Sequence, residues 1–427
     1  MAIKNILFSK SAIDFLFMFW SNIFKKLLGF IREVILASIF GSSIHYAHFL
    51  LLRTVPDLFS QLTEGNALQA NLLPKFTKLY SNYGTVSLVR VFSFSKGVLW
   101  KFFLVSQLLQ LPIIYYLESN NYLSLIIISI LLGVVECTNF YNTIFLTIMQ
   151  SQGKFKLHSF ATTLNLFVST IILYPLAVLF DIIGTVISRL IGVLVLNFTY
   201  VKPMKAESSG EEAKLQPKDF NLPIMILGNF ANIIILLSRF VSGSDGSSTI
   251  THFTYAIILL NGFFTAVVVN LNTLLLKKLT IIRDIRLVMV TVLFSILLCV
   301  GLIYFVDMFS IDLVRIIFQR GVFSDSDVIE SASYMREMSK GFLFIFIASV
   351  LFQPFFSMDT IRVRYLSKFM ARFFIAIALI LFVVFYFNNW DVRYQSIVMF
   401  YTMSFISMLL SFFAMYVYIN SQKKNKI

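Results

Sequence analysis

The segment KKLLGFIREVILASIFG, residues 25–41, places Lys25, Lys26, Arg32 and Glu33 inside an otherwise apolar run. Cationic groups in such a setting suit one kind of chemistry, the holding of an anion. Arginine's planar fork meets a carboxylate or phosphate through two parallel hydrogen bonds, whereas lysine offers a point charge. Seven residues apart, Lys25 and Arg32 share a helix face, while Lys26 looks elsewhere unless the helix bends. Gly29 lies between them, where it can supply that bend.

More charges fall within apolar runs further on: Arg53, Asp57, Glu64, Arg90, Lys96, Lys101, Glu136, Arg189 and Arg239. A charge near the centre of a hydrocarbon layer costs roughly 2.5–3.5 kcal/mol, so each is expected to face a water-filled cavity or to have a partner. Lys96 sits ~9 Å into its helix, close enough to snorkel to the interface. Lys101 is harder to place at a surface, lying ~17 Å along the same helix from Arg90 and on nearly the same face. Arg32 is expected to face water rather than lipid, and Glu33 to pair with a neighbouring cation. The candidate cavity cations are Lys26, Arg32, Arg53, Lys96 and Lys101, and the candidate carboxylates for coupling to an ion are Glu33, Asp57, Glu64 and Glu136. Most of these belong to the first half, which makes one cationic half and one nearly neutral half.

Catalytic chemistry is not expected. Cys137 and Cys299 both lie in apolar runs, and His45, His48, His158 and His252 form no metal-ligand pattern. No nucleophile–base arrangement emerges, so the chain is read as a non-enzyme without metal or cofactor.

The elements that must position these groups are membrane helices. Of 427 residues, 58% are hydrophobic and 13% charged, against about 45–50% and about 25% in soluble domains. Apolar runs and breakers give an all-α polytopic protein of about twelve transmembrane helices. They fall near 11–40, 46–78, 86–117, 122–151, 155–180 and 182–202, then 219–242, 249–278, 284–307, 326–357, 363–388 and 393–420. Residues 1–202 form an expected N-lobe and 219–427 a C-lobe, around a central cavity, with the polar stretch 203–218 as a cytoplasmic loop between them. Met1–Lys10 is short and basic with no small-residue cleavage site after it, so the first helix is expected to be retained.

The net charge of +14 raises the question of nucleic acid, but the basic residues crowd into alternate loops. Lys75, Lys78, Lys154, Lys156, Lys202, Lys205, Lys277, Lys278, Arg362, Lys423 and Lys424 fall on one side. Glu118, Asp181, Asp245 and Asp391 fall on the other, where Arg393 is nearly the only cation outside 307–325. The positive-inside rule then places both termini in the cytoplasm, and no nucleic-acid partner is expected. Residues 311–321 read as a short amphipathic helix lying at the outer interface, closed by Gly321. Ser324 with Asp327 reads as the N-cap of the following helix.

An internal repeat is also visible. GSSIHYAHFLLL at 41–52 and GSSTITHFTYAIILL at 246–260 each follow a first helix and open a second, and Asn22 and Asn229 occupy similar places before them. The offset favours two related six-helix lobes, one known transporter plan.

LLGFIREVILASIFGSS with VPDLFSQLTEGNAL resembles the opening of the MurJ/MviN family of lipid II flippases, through Lys26, Gly29, Phe30, Arg32, Glu33, Phe40, Gly41, Pro56, Leu58, Glu64 and Gly65. GKFKLHSFATTLNL at 153–166, LPIMILGN at 222–229, IIFQRGVFSDSDV at 316–328 and MDTIR at 358–362 resemble later family segments in register. The resemblance implies the fold of the multidrug/oligosaccharidyl-lipid/polysaccharide exporter superfamily, with two bundles rocking between inward- and outward-open states. It implies a polyprenyl-diphosphate-linked saccharide as substrate, its diphosphate held by the cavity cations. It also implies the bacterial cytoplasmic membrane as location, and cell-wall or polysaccharide assembly proteins as partners beside the lipid bilayer.

This chain departs from the family pattern where Ala47 replaces an aspartate, where Ser60 and Gln61 replace an arginine region, and where Ile258 and Asn261 replace a charged pair. The family also continues for two helices beyond the twelve read here. Lys96 and Lys101, outside the usual pattern, are candidates to replace the lost positive charge. The expected function is transfer of a lipid II-like peptidoglycan precursor from inner to outer leaflet by alternating access. The alternatives are a flippase for surface-polysaccharide repeat units, a non-transporting scaffold derived from a flippase, and an ion-coupled multidrug antiporter.

Overall fold

A computed structural model describes residues 10–63, 65–83, 86–117, 122–202, 211–212, 222–264, 272, 275, 285–356, 361–388 and 390–424. Glu64, nearly all of the polar loop 203–218, most of the second half of the eighth crossing and part of the 358–362 motif lie outside them. The described chain is helical. In order the helices are α1 Lys10–Phe40, α2 Ile44–Thr63, α3 Gly65–Tyr83, α4 Val89–Tyr116, α5 Tyr122–Ser151, α6 Phe155–Ile171 and α7 Leu173–Leu196. They continue with α8 Leu222–Gly228, α9 Phe230–Ser242, α10 Thr249–Phe264, α11 Ile285–Phe318, α12 Asp325–Phe356, α13 Ile361–Phe387 and α14 Val392–Lys424. A π turn, Asn197–Val201, prolongs α7, and a two-residue parallel bridge joins Val86–Ser87 to Glu211–Glu212.

Joined end to end, these helices account for the expected crossings. Among the described residues seven are long and apolar enough to span a bilayer, eight if the bent pair α8–α9 counts as one. The remaining crossings are shortened by breaks or enriched in charge. The seventh crossing bends by 78° at Asn229, whose side chain donates back to the Met225 carbonyl at 3.2 Å. The fifth and sixth are divided within α7, where Asp181 takes φ 54° and ψ −140° and reverses the chain. Gly184 makes that reversal tight, since a Cβ there would overlap the Leu176 carbonyl oxygen.

The amphipathic segment 311–321 is not a separate surface helix. It is the last two turns of α11, which runs unbroken from Ile285 to Phe318. Nothing between Asp307 and Phe318 is a glycine or proline, so the helix has no reason to stop before Gly321, which takes φ 62°. The start of α12 is the expected cap. Asp327 accepts from both the backbone N–H and the hydroxyl of Ser324 at 2.8 Å, and the Asp327 N–H returns a bond to the Ser324 hydroxyl at 3.3 Å.

Two compact units result. One comprises Met1–Phe40 with Leu52–Asn221, the other Gly41–Leu51 with Leu222–Ile427. The sequence suggests a division at the polar loop alone, yet the turn that opens α2 belongs to the second unit. Gly41, at φ 51°, accepts from the Tyr255 hydroxyl at 3.3 Å, and Tyr46 stacks on Tyr255 with centroids 6.4 Å apart. A Cβ on Gly41 would lie 3.1 Å from the Val322 carbonyl oxygen. Gly41 and Gly246, which open the two copies of the repeat, both take left-handed φ values.

The core of the first unit gathers Leu72, Phe76, Val91, Phe140, Phe145 and Ile148. A smaller cluster in the second joins Leu275, Val288, Val350, Leu351, Met415 and Tyr418. Apolar side chains left exposed along α4, α11 and α13, among them Leu108, Val290, Leu297 and Leu379, suit contact with lipid tails.

Candidate anion site in the first helical unit

Lys25 and Arg32 do share a face of α1, and that face is packed against protein. Lys25 Nζ donates to the Thr162 hydroxyl at 3.2 Å, beside Ser21, whose hydroxyl bonds Thr163 Oγ1 at 2.7 Å and the Ser159 carbonyl at 3.1 Å. These contacts form a polar seam between α1 and α6 of the kind that joins membrane helices. Seven residues on, Arg32 is 8% exposed and its Nη2 donates to the Thr185 carbonyl of α7 at 3.4 Å. The sequence leads one to expect Arg32 in water, but the same heptad spacing that aligns it with Lys25 turns it into the bundle of the first unit. Lys26 looks the other way and is exposed. Gly29 lies within an unbroken helix, and a Cβ there would meet nothing within 4 Å.

The carboxylates divide by environment. Asp57 pairs with Arg53 one turn earlier on α2, Nε to Oδ2 at 3.2 Å, with both side chains largely enclosed. Glu33 is half-buried, and its Oε2 is enclosed with no hydrogen-bond partner among the described residues. Glu136, 8% exposed on α5, faces Arg189 of α7, Oε1 to Nη2 at 4.0 Å. Lys96 and Lys101 are both exposed on α4.

The structure therefore brings together residues that are far apart in the sequence. Thr185, Arg189 and Val193 follow one another at single turns along one face of α7. Arg32 meets that face at Thr185, Glu136 meets it at Arg189, and the Asn142 amide of α5 donates to the Val193 carbonyl at 3.1 Å. Asn197 then donates to Asn142 at 2.8 Å. The sequence signal for this cluster is the pair of opposite charges, Glu136 and Arg189, in the middle of the fourth and sixth crossings.

A cavity of about 20 Å³ adjoins Glu136, room for roughly one water. Pro56, Ser60, Phe102, Ser106 and Cys137 line it, and Phe102 stands edge-on to both Phe59 and Phe140 at 5.7 and 5.6 Å. Glu136 thus touches a small pocket with two hydroxyls on one side and a guanidinium on the other.

The second unit carries its polar groups elsewhere. At the α12–α14 junction Arg393 pairs with Glu330 at 2.8 Å and Glu337 at 3.1 Å, and lies over the Tyr334 ring at 4.9 Å. His252 lies 3.9 Å from Asp327. Arg239, the main charge of the seventh crossing, is 7% exposed within α9.

No protein-family model matches the sequence, and no curated protein matches it. Solved structures do. "Lipid II flippase MurJ, inward closed conformation" is similar at a TM-score of 0.71 and 16% identity, covering 93% of this chain and 87% of that one. A multidrug resistance MATE family transporter of the MOP superfamily, in an outward-facing conformation, is similar at 0.53 and 12%, covering 96% and 95%. MATE in complex with MaL6 is similar at 0.54 and 11%, covering 95% and 97%. At such identities the likeness is one of fold. The chain is a multi-pass membrane protein with the helical fold common to a lipid flippase and to multidrug exporters, which bears out the resemblance read from its motifs at the level of architecture.

Proposed function

We propose that this chain is a flippase that moves a polyprenyl-diphosphate-linked saccharide, a lipid II-like peptidoglycan precursor, from the inner to the outer leaflet by alternating access. The observation that carries the proposal is Arg32, a guanidinium 8% exposed inside the helical bundle of a flippase-like fold, where it meets α7 one turn before Arg189. Burying a guanidinium in a membrane protein is costly, and a diphosphate group is the kind of ligand that offsets it through charge-assisted, forked hydrogen bonds. A multidrug antiporter fits less well, because a first half rich in cations suits cationic drugs poorly. In this reading the protein sits in the bacterial cytoplasmic membrane with both termini inside and works beside cell-wall assembly proteins.

One observation favours a neighbouring reading, a flippase for surface-polysaccharide repeat units. Ala47, Ile258 and Asn261 leave uncharged the positions where the lipid II family carries charge. The experiment that separates the two is outer-leaflet lipid II measured in cells depleted of their own flippase and expressing this chain. Restored exposure that is lost with Arg32→Ala supports lipid II. No restoration, with the protein shown to be in the membrane, assigns another lipid-linked saccharide or a scaffold role.

A further inference from the structure

One face of α4 changes character along its length. At roughly 100° per residue, Leu104, Val105, Leu108, Leu111 and Tyr115 fall on the same side of this helix as Ser93, Gly97 and Lys101, and all of them are exposed. The later part is apolar and suits lipid tails, while the first part offers a hydroxyl, a bare backbone and an ammonium. Helix length says where the change falls in a bilayer. About twenty residues cross the ~30 Å hydrocarbon layer. Counted back from Tyr115 and Tyr116, exposed rings of the kind that gather at the interface, that span ends near Lys96. Lys101 then stands about 7 Å inside the edge, within reach of headgroup level along its own stem. Helical side chains lean toward the N-terminus, so Lys101 lies back over Gly97 and Ser93. Because Gly97 has no side chain, a hollow of about 400 Å³ opens there, lined by Ser93, Phe94, Gly97, Val98 and Lys101. Lys101 makes no ion pair among the described residues.

We propose that this hollow on α4 binds the headgroup phosphate of an anionic membrane phospholipid, with the Lys101 ammonium and the Ser93 hydroxyl on the phosphate and the acyl chains along Leu104, Val105 and Leu108. The charge is complementary, and the apolar stretch that receives the tails continues from the hollow on the same face. Lysine supplies the point charge that a single phosphate needs, without the fork that suits a diphosphate. Lys96 points about 140° away around the helix, so it adds to the local potential but not to the contact. The site is apart from Arg32 and does not rest on the flippase reading. The proposed orientation serves only to name its leaflet, the cytoplasmic one.

Trp100, 63% exposed and one residue before Lys101, is a built-in reporter. With Trp20→Phe and Trp390→Phe it becomes the sole tryptophan of the full chain, and its fluorescence is read in vesicles of brominated phosphatidylglycerol or brominated phosphatidylcholine. The background protein is expected to prefer phosphatidylglycerol about fivefold, the weight of one lysine at a lipid surface. Lys101→Gln is expected to abolish that preference and Lys101→Arg to keep it. Gly97→Leu fills the hollow while leaving every charge in place, and is expected to abolish the preference as well. Both positions are exposed, and a Cβ at Gly97 would meet nothing within 4 Å, so these variants keep the fold. Equal quenching by the two lipids overturns the proposal. So does a preference that survives Lys101→Gln or Gly97→Leu, which would be a diffuse attraction to a basic surface. An excess of inorganic phosphate is expected to leave the preference unchanged; its loss would assign a free-anion site instead. Displacement of phosphatidylglycerol by traces of a polyprenyl diphosphate would give the hollow to that lipid and overturn the phospholipid assignment.

Discussion

Arg53 and Asp57 show what an arginine does in this bundle when its carboxylate is close. At 3.2 Å and a single helical turn apart, the two charges offset one another. Removing one takes a close counter-charge from the other, and breaking a buried pair in this way costs about 3–5 kcal/mol. Asp57→Asn is therefore expected to lower the unfolding temperature in detergent, and Arg53→Gln combined with Asp57→Asn to recover most of the loss. A double variant as unstable as the single one would show that Arg53 has a separate structural duty. Transport by that double variant then separates binding from stability. If Arg53 serves only Asp57, flipping survives; if it also meets the diphosphate, flipping falls while the fold holds. The same contrast explains which cations are legible in the sequence. Heptad spacing aligns Lys25 with Arg32 correctly, but a helical pattern gives only the direction of a side chain. Whether water or a neighbouring helix lies in that direction is decided by packing. Arg189 is visible as a charge in an apolar run, yet its counter-charge, Glu136, belongs to a different crossing, and no local pattern joins the two.

At the scale of elements, the reversal inside α7 is the joint on which the Arg189 face depends. Asp181 and Gly184 stand at the turn itself, and the backbone of Leu176 fills the space where a Gly184 side chain would stand. Gly184→Ala is expected to cost about 3 kcal/mol or to open the reversal, since the clash is with backbone that cannot rotate away. The readout is reduced thermal stability together with lost flipping; a normal unfolding temperature would show that the two segments can separate freely. The cap of α12 makes a smaller prediction. Ser324→Ala removes one hydroxyl bond to Asp327 and the bond returned by the Asp327 N–H, with an expected loss of about 1 kcal/mol of helix stability. Melting curves of wild type and variant in the same detergent give this difference directly, and no shift would mean that the Ser324 backbone N–H alone sustains the cap. Both features are legible in the sequence, because each is local: an acidic residue between two apolar runs, and Ser-x-x-Asp before a helix. The segment 311–321 misleads for the opposite reason. Its polar pattern indicates an interface, but only a breaker can separate it from the preceding crossing, and none is present before Gly321.

For the whole molecule, the longest-range information in the sequence is the distribution of charge. It sets the expected orientation without any knowledge of packing, because basic loops resist passage across the membrane while the helices they join are chosen by apolarity. What it cannot supply is the membership of Gly41–Leu51 in the second compact unit, which rests on Tyr255 reaching Gly41 across 214 positions of chain. The repeat at 41–52 and 246–260 hints at a relation between these segments but not that they pack together. The proposed orientation can be tested across the chain at once. Cys137 and Cys299 are half-buried and buried, so replacing both with serine gives a background for single reporter cysteines. Ser247→Cys, in the turn after Asp245, and Asn388→Cys, at the end of α13, are expected to react with a membrane-impermeant thiol reagent applied outside intact cells. Lys154→Cys, between α5 and α6, and Ser421→Cys, near the end of α14, are expected to react only after the membrane is opened. The inverse pattern would turn the molecule over and with it the direction of transport. Labelling of Ser247→Cys and Ser421→Cys from the same side would mean an even number of crossings between them. That outcome would remove the sixfold division of the second half on which the flippase reading is built.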